Sequence, residues 1–218
     1  MASELMPLTP QHLDEAARLL GQAFGNDPGW LILFEGFDDN ERLRRMTSVF
    51  AASLSACLGT GRPLEVRDGN RTIAAATIYP PGAYPLPLPA QVTIFAKCIW
   101  HAGLFRPETW AITKRSLDMM SEMSEEHPQQ THYFWEYVGV LPDYQGQGIG
   151  SLICRTLVQR ADQEQVGSYL ETANPRNVPL YERLGFQTVR EREIMGARMW
   201  FMWRDPKRPS STSVSVSG

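Results

Sequence analysis

The sequence predicts a mixed α/β (α+β) domain in which helices pack on both faces of one sheet. Segments with apolar residues at helical spacing alternate with short runs of β-branched and aromatic residues along the chain. Four of those runs form two pairs separated by turn residues, over 63–79 and 187–203. No repeat or low-complexity stretch interrupts residues 1–204, which therefore read as a single domain large enough to bury a substantial core.

The first helix is expected over 10–24, because Thr9 can cap free amides, Pro10 suits a first helical position, and Leu13, Ala16, Ala17, Leu20 and Phe24 share a face. Asn26-Asp27-Pro28-Gly29 should break it. A second helix is expected over 40–58, with Leu43, Met46, Phe50 and Leu54 inward and Gly59-Thr60-Gly61 as its stop. Residues 63–67 and 71–79 read as strands joined at Asp68-Gly69-Asn70. Five prolines within 80–89 exclude regular structure and make a stiff loop. Helices near 91–102 and 107–126 should follow. The aromatics of the 80–126 insertion, Phe95, Trp100, Phe105 and Trp110, fit either extra core or the wall of an acceptor pocket. A strand at 131–140, a helix at 148–164, a strand at 168–172, a helix at 178–184 ended by Gly185, and strands at 187–194 and 198–203 complete the domain. Residues 205–218 are serine-rich without aromatics, and are expected to be a disordered tail.

Composition narrows the function classes. A net charge of −3 is the wrong balance for nucleic-acid binding, and the arginines at 42, 44 and 45 read as a solvated helix face. Cys57, Cys98 and Cys154 are odd in number and widely spaced, and the four histidines lack zinc-motif spacing, so neither a disulfide framework nor a metal is expected. No apolar run has the length of a membrane span and no signal peptide is evident, so the cytoplasm is the expected setting.

The segment Gln145-Gly146-Gln147-Gly148-Ile149-Gly150 joins a strand to a helix. Glycines there let an anion approach the backbone, and the first turn of the helix offers unpaired N–H groups with a partial positive charge. Alone, the loop also fits an ordinary glycine-rich turn. A nucleoside-triphosphatase loop fails because Gly150 is followed by Ser151 with no lysine. A dinucleotide loop has an acid at a tolerable distance in Glu171, but Ser151 stands where its third glycine belongs, and five residues separate the strand from Gly146.

What remains, Gln145-x-x-Gly148-x-Gly150, resembles the coenzyme-A loop of the GNAT superfamily of N-acetyltransferases. The resemblance extends to 138–144 before the loop and to the 177–186 segment Asn-Val-Pro-Leu-Tyr-Glu-Arg-Leu-Gly-Phe, about 60 residues in all. It implies a GNAT-type fold with one mixed, mostly antiparallel sheet of about six to seven strands, with helices on both faces. Leu170-Glu171-Thr172 and Pro175-Arg176-Asn177 are most similar to puromycin N-acetyltransferase and its relatives.

Further roles follow from the resemblance. Val138, Gly139 and Val140 would lie along the pantetheine arm of acetyl-CoA, with a Val140 amide as oxyanion donor. Gln145, Gly146, Gln147, Gly148, Ile149, Gly150 and Ser151 would hold the pyrophosphate, and Asn177 would bond to the pantetheine or, equally, cap the helix that follows it. Tyr181 matches the tyrosine near the coenzyme sulfur and is the candidate acid. Glu136, four residues before Val140 and so expected on the same face, is the candidate base. Several family members carry an acid there and the puromycin enzymes do not, so the two likenesses disagree at Glu136, which also fits a merely solvated carboxylate. His132 and Tyr133 are fallback bases, and Cys154 reads as a core thiol rather than a covalent acyl carrier.

The expected activity is therefore acetyl transfer from acetyl-CoA to the amine of a small molecule by direct attack in a ternary complex, without a metal, by a monomer or homodimer. The alternatives are a CoA-binding sensor without catalysis, a user of another acyl-CoA, and a modifier of protein or peptide amines.

Overall fold

The computed structural model describes residues 4–102 and 107–208. Phe105 and the tail from 209 lie outside the described residues, as do the side chains of Phe95, Cys98 and Trp100. The strands are β1 (Leu5–Pro7), β2 (Leu64–Asp68), β3 (Arg71–Tyr79), β4 (His132–Val140), β5 (Gly167–Thr172), β6 (Gln187–Ile194) and β7 (Ala197–Arg204). The helices are α1 (Leu13–Ala23), α2 (Pro28–Leu33), α3 (Asp39–Thr60), α4 (Leu88–Ala102), α5 (Pro107–Glu126), α6 (Ile149–Glu164) and α7 (Val178–Arg183). One seven-stranded sheet runs β1-β2-β3-β4-β5-β7-β6, antiparallel except for the β4–β5 pair.

Both hairpins form where turn chemistry places them, with Gly69 and Gly196 at positive φ in the connections. Several elements depart from the sequence reading; α4 starts at Leu88, inside the proline run, with Pro89 in its first turn. Asn26-Asp27-Pro28-Gly29 ends α1 but also starts α2: the Asp27 carboxylate accepts the Gly29 N–H at 3.0 Å and Pro28 takes the first position. β1 is an edge strand of three residues, too short to leave a periodic signal, which pairs with β2. Thr9 does not cap a helix. Its hydroxyl pairs with His12 Nδ1 at 3.3 Å, and Pro10–His12 forms a 3-10 turn before α1.

Helices cover both faces, as adjacent β4 residues show. A Cβ on Gly139 would meet Leu20 Cδ2 of α1 at 2.6 Å, whereas Val140 lies against Gly150 of α6. α3 packs on α1, and Phe24, Trp30, Phe50 and Tyr137 join α1, α2, α3 and β4 in one aromatic cluster with centroids 4.6–6.4 Å apart. α4 lies beside α3, and Arg115 of α5 donates to the Ile32, Leu33 and Glu35 carbonyls at the end of α2. Trp110, read as core or pocket wall, is 68% exposed and so is not core.

Arg204 joins β7, α6 and α7. Its guanidinium donates to both Asp162 oxygens at 2.7 and 2.8 Å and to the Leu184 carbonyl at 2.8 Å, while only 2% of the residue is exposed.

Candidate active site

β4 and β5 form a ladder only from His132↔Gly167 to Trp135↔Leu170. Beyond it the strands separate, so the β5-facing edge of 136–140 has no strand partner. β4 also carries a bulge, since Trp135 pairs with Ile78 and Tyr137 with Thr77, leaving Glu136 as the extra residue. The bulge reverses the alternation. Trp135 packs on Phe186, while Tyr137 packs on Phe24 and Phe50. The expectation that Glu136 and Val140 share a face is therefore corrected: Val140 faces α6, and Glu136 sits with Cys57 of α3, Tyr79 and Tyr84.

At the other end of the open edge, Pro142–Tyr144 makes a 3-10 turn into the glycine loop. Gln145 Nε2 donates to the Val140 carbonyl and Gln147 Nε2 to the Asp143 carbonyl, each at 3.0 Å, so both amides brace the loop. Gly146 and Gly148 have φ of 76° and 84°, a backbone that side chains disfavour, and Gly148 is the N-cap of α6. The first α6 amides, from Ile149 to Ser151, precede the first intrahelical bond, Leu152 N–H to the Gly148 carbonyl, and point out of the helix end. Asn177 precedes α7 but its side chain makes no capping hydrogen bond, so the capping alternative fails and the amide remains available.

Tyr181 of α7 packs edge-on against Phe186 and lies beside Cys154 and Asp27. Burial, with Cys154 and Asp27 nearby, raises its phenol well above the ordinary range, so it keeps its proton at neutral pH. Burial pushes the Cys154 thiol up to about 12, which suits a core thiol and not a nucleophile.

Glu136 lies at the root of the fork. Among the described residues its enclosed Oε2 has no hydrogen-bond partner, and neither has the Tyr79 hydroxyl close by. Burial first, and the neighbouring Glu171 second, push its carboxyl up to about 8. Burial likewise raises Glu171 to about 7, although Glu171 Oε1 accepts the Tyr169 hydroxyl at 2.9 Å. The fallback bases stand elsewhere. Tyr133 donates to Glu164 of α6 at 2.6 Å, and His132 holds the Gln130 carbonyl at 2.6 Å, about 13 Å of strand from Glu136.

The proline loop covers this root. Tyr84 packs on Phe134 at 4.6 Å, His127 at 4.8 Å and Tyr79 at 5.4 Å. A cavity of about 250 Å³ opens between α3 and α4, lined by Ser55, Pro89 and Ile94 among others. Another of about 350 Å³ lies between α1, α3 and Pro142-Asp143, beside the lead-in to the glycine loop. Glu171, Tyr79 and Tyr84 were not read as site residues; strand pairing brings the first two to Glu136, and the proline loop brings Tyr84.

Residues 117–186 match the acetyltransferase (GNAT) family. The match covers about a third of the chain, from within α5 through β4, the glycine loop and α6 to Phe186. Solved structures extend the likeness over the full domain. A histone acetyltransferase HPA2 and related acetyltransferase from Corynebacterium glutamicum has a TM-score of 0.67 at 22% identity, over 96% of this chain and 99% of that one. Arylalkylamine N-acetyltransferase 2 from Aedes aegypti has a TM-score of 0.59 at 9% identity, over 95% and 100%. The NatC complex bound to Gag peptide and CoA has 0.53 at 12%, over 95% and 100%. The fold is the GNAT fold. Among the described residues no group of side chains is arranged to hold a metal ion, and no helix is long and apolar enough to cross a membrane.

Proposed function

We propose that the protein is an acetyl-CoA-dependent N-acetyltransferase that acts on the amine of a small molecule through a ternary complex, with Glu136 as base and Tyr181 as acid. The observation that carries this reading is the unpartnered edge of β4, which runs from Glu136 to Val140 and leads into the helix-end amides at Ile149, Gly150 and Ser151. Those amides, the positive-φ glycines 146 and 148 and the free Asn177 amide fit a pyrophosphate and its amide-bearing arm. When bound, acetyl-CoA supplies the activated acetyl group.

The chain's own groups meet the remaining needs. Val138, Gly139 and Val140 offer backbone groups along the open edge, and the Gln145 side chain holds the Val140 peptide in place. Glu136, as a carboxyl that ionises near neutral pH, can take the proton that an ammonium must lose before it attacks. Tyr181, held protonated, can give a proton to a departing thiolate. The 80–126 insertion would line the acceptor side of residues 1–204, with Tyr84 beside Glu136. The resemblance of 170–177 to the puromycin enzymes supports a small-molecule acceptor over a protein one, and the composition supports work in the cytoplasm.

The test is thiol release from acetyl-CoA with a panel of small amines, in wild type and Tyr181→Phe. We expect release with at least one amine, and a Tyr181→Phe rate lowered by about 10²-fold, the lower end for a lost general acid. Coenzyme binding without thiol release for any amine would instead identify a sensor.

A further inference from the structure

The last rung of the β4–β5 ladder is Trp135↔Leu170, and the next step of the same register sets Glu136 opposite Glu171. The two carboxyls thus stand at the first position where the strands part. Around them are Cys57 from α3, Tyr79 from β3, Tyr84 from the proline loop and Tyr169 from β5. No cationic side chain among the described residues pairs with either carboxyl. Two buried acids without a counter-charge are costly unless something neutralises them.

A second observation points to a ligand. Tyr79 is 1% exposed, yet among the described residues its hydroxyl has no hydrogen-bond partner, and it lies against Glu136, whose enclosed Oε2 likewise has none among them. One enclosed acceptor, one hydroxyl that can accept, and a second carboxylate at the next strand match the three donors of a primary ammonium. The surrounding faces of Tyr84, Phe134 and Tyr169 are aromatic and suit an apolar body behind that head group.

We infer that Glu136 and Glu171 together form the ammonium site of the acceptor, and that they restrict it to primary amines with no carboxylate next to the nitrogen. The inference rests on the acetyl-transfer reading above. A free amino acid would place its own carboxylate against two acids, whereas the matching amine or amide would not. In the bound pair the ammonium N–H bond breaks and the proton passes to Glu136, leaving the nitrogen lone pair free. Glu171 remains as the counter-charge and holds the nitrogen in place.

The experiment compares phenethylamine, phenylalanine amide and phenylalanine as acceptors over pH 6–9 in wild type, Glu171→Gln and Glu171→Asp. Wild type should prefer phenethylamine and the amide over phenylalanine by about 100-fold in kcat/KM, the scale of a buried like-charge clash. Glu171→Gln should narrow this to about tenfold or less and move the acid limb of the pH profile down, since Glu136 loses its like-charged neighbour. Glu171→Asp should retain the preference. An unchanged ratio and pH limb in Glu171→Gln would overturn the inference while leaving acetyl transfer standing. If no acceptor is turned over, the acetyl-transfer reading fails, and calorimetric titration of phenethylamine into the CoA-loaded protein decides the site separately: binding weakened in Glu171→Gln supports it, and no binding to wild type overturns it.

Discussion

From His132 to Trp135, β4 is paired with β3 on one side and β5 on the other; from Glu136 to Val140 it keeps only β3. Both halves are rich in aromatic and β-branched residues. The paired half is core: Tyr133, Phe134 and Trp135 are 3–6% exposed. The other half has a bulge, a buried acid and a free backbone edge, which are useful to a ligand and costly to a fold. The change between them occurs at one residue, Glu136, which makes the comparison open to single substitutions.

The largest effect should come from the root of the open half. Glu136→Gln keeps the shape and removes the base, so kcat/KM for an amine should fall by about 10²–10⁴-fold at pH 7. Coenzyme binding, measured by calorimetry, should be unaffected; a rate within twofold of wild type would remove Glu136 from the chemistry.

Arg204 tests the well-paired region instead. Arg204→Met leaves Asp162 and the Leu184 carbonyl without their shared donor, and should cost about 3 kcal/mol in chemical denaturation with the pH profile of activity unchanged. A change in that profile would mean that this region also serves the site.

The glycine loop separates backbone strain from ligand approach. Gly148→Ala forces an αL conformation at φ 84° on a side chain and should raise the KM for acetyl-CoA roughly tenfold, the equivalent of about 1–2 kcal/mol. At Gly150 a Cβ would meet only Val140 Cγ2, at an ordinary 3.6 Å, so Gly150→Ala should fold as wild type. Any loss of coenzyme affinity in Gly150→Ala then reports a phosphate close to that backbone.

The smallest effect is on stability. The folded carboxyls of Glu136 and Glu171 ionise at about 8 and about 7, above their usual 4.5, so the native state holds more protons than the unfolded chain between those values. Stability from this pair is therefore fullest below about pH 4.5 and is lost as pH rises through 7 and 8. Glu171→Gln should raise Tm at pH 8.5 by about 2–4 °C, the shift for roughly 1 kcal/mol in a domain of this size, and by less at pH 5. Equal shifts at both pH values would show that Glu171 does not titrate between them in the folded protein.

Most of the element order was legible because α1, α3, α6 and both hairpins have strong periodicity and turn residues at their ends. α2 was hidden because Asp27-Pro28-Gly29 serves equally as a breaker and as a helix start, and β1 because three residues give no period. Gln145–Gly150 was legible since it is contiguous and its chemistry is that of the backbone. The surroundings of Glu136 were not, because period two places it with Val140 and the bulge places it with Cys57, Tyr79 and Tyr84.

By itself, then, the sequence determined the alternation of helices and strands, the anion-binding loop and the residues that resemble a coenzyme-A site. Those features are local, set by neighbours within a few positions. Only the tertiary structure decided that β4 parts from β5 at Glu136 and that Glu171 stands opposite it, 35 positions along the chain in the register that pairs Trp135 with Leu170. Strand register and bulges depend on what each face packs against, so the carboxyl pair exists only once the sheet has formed.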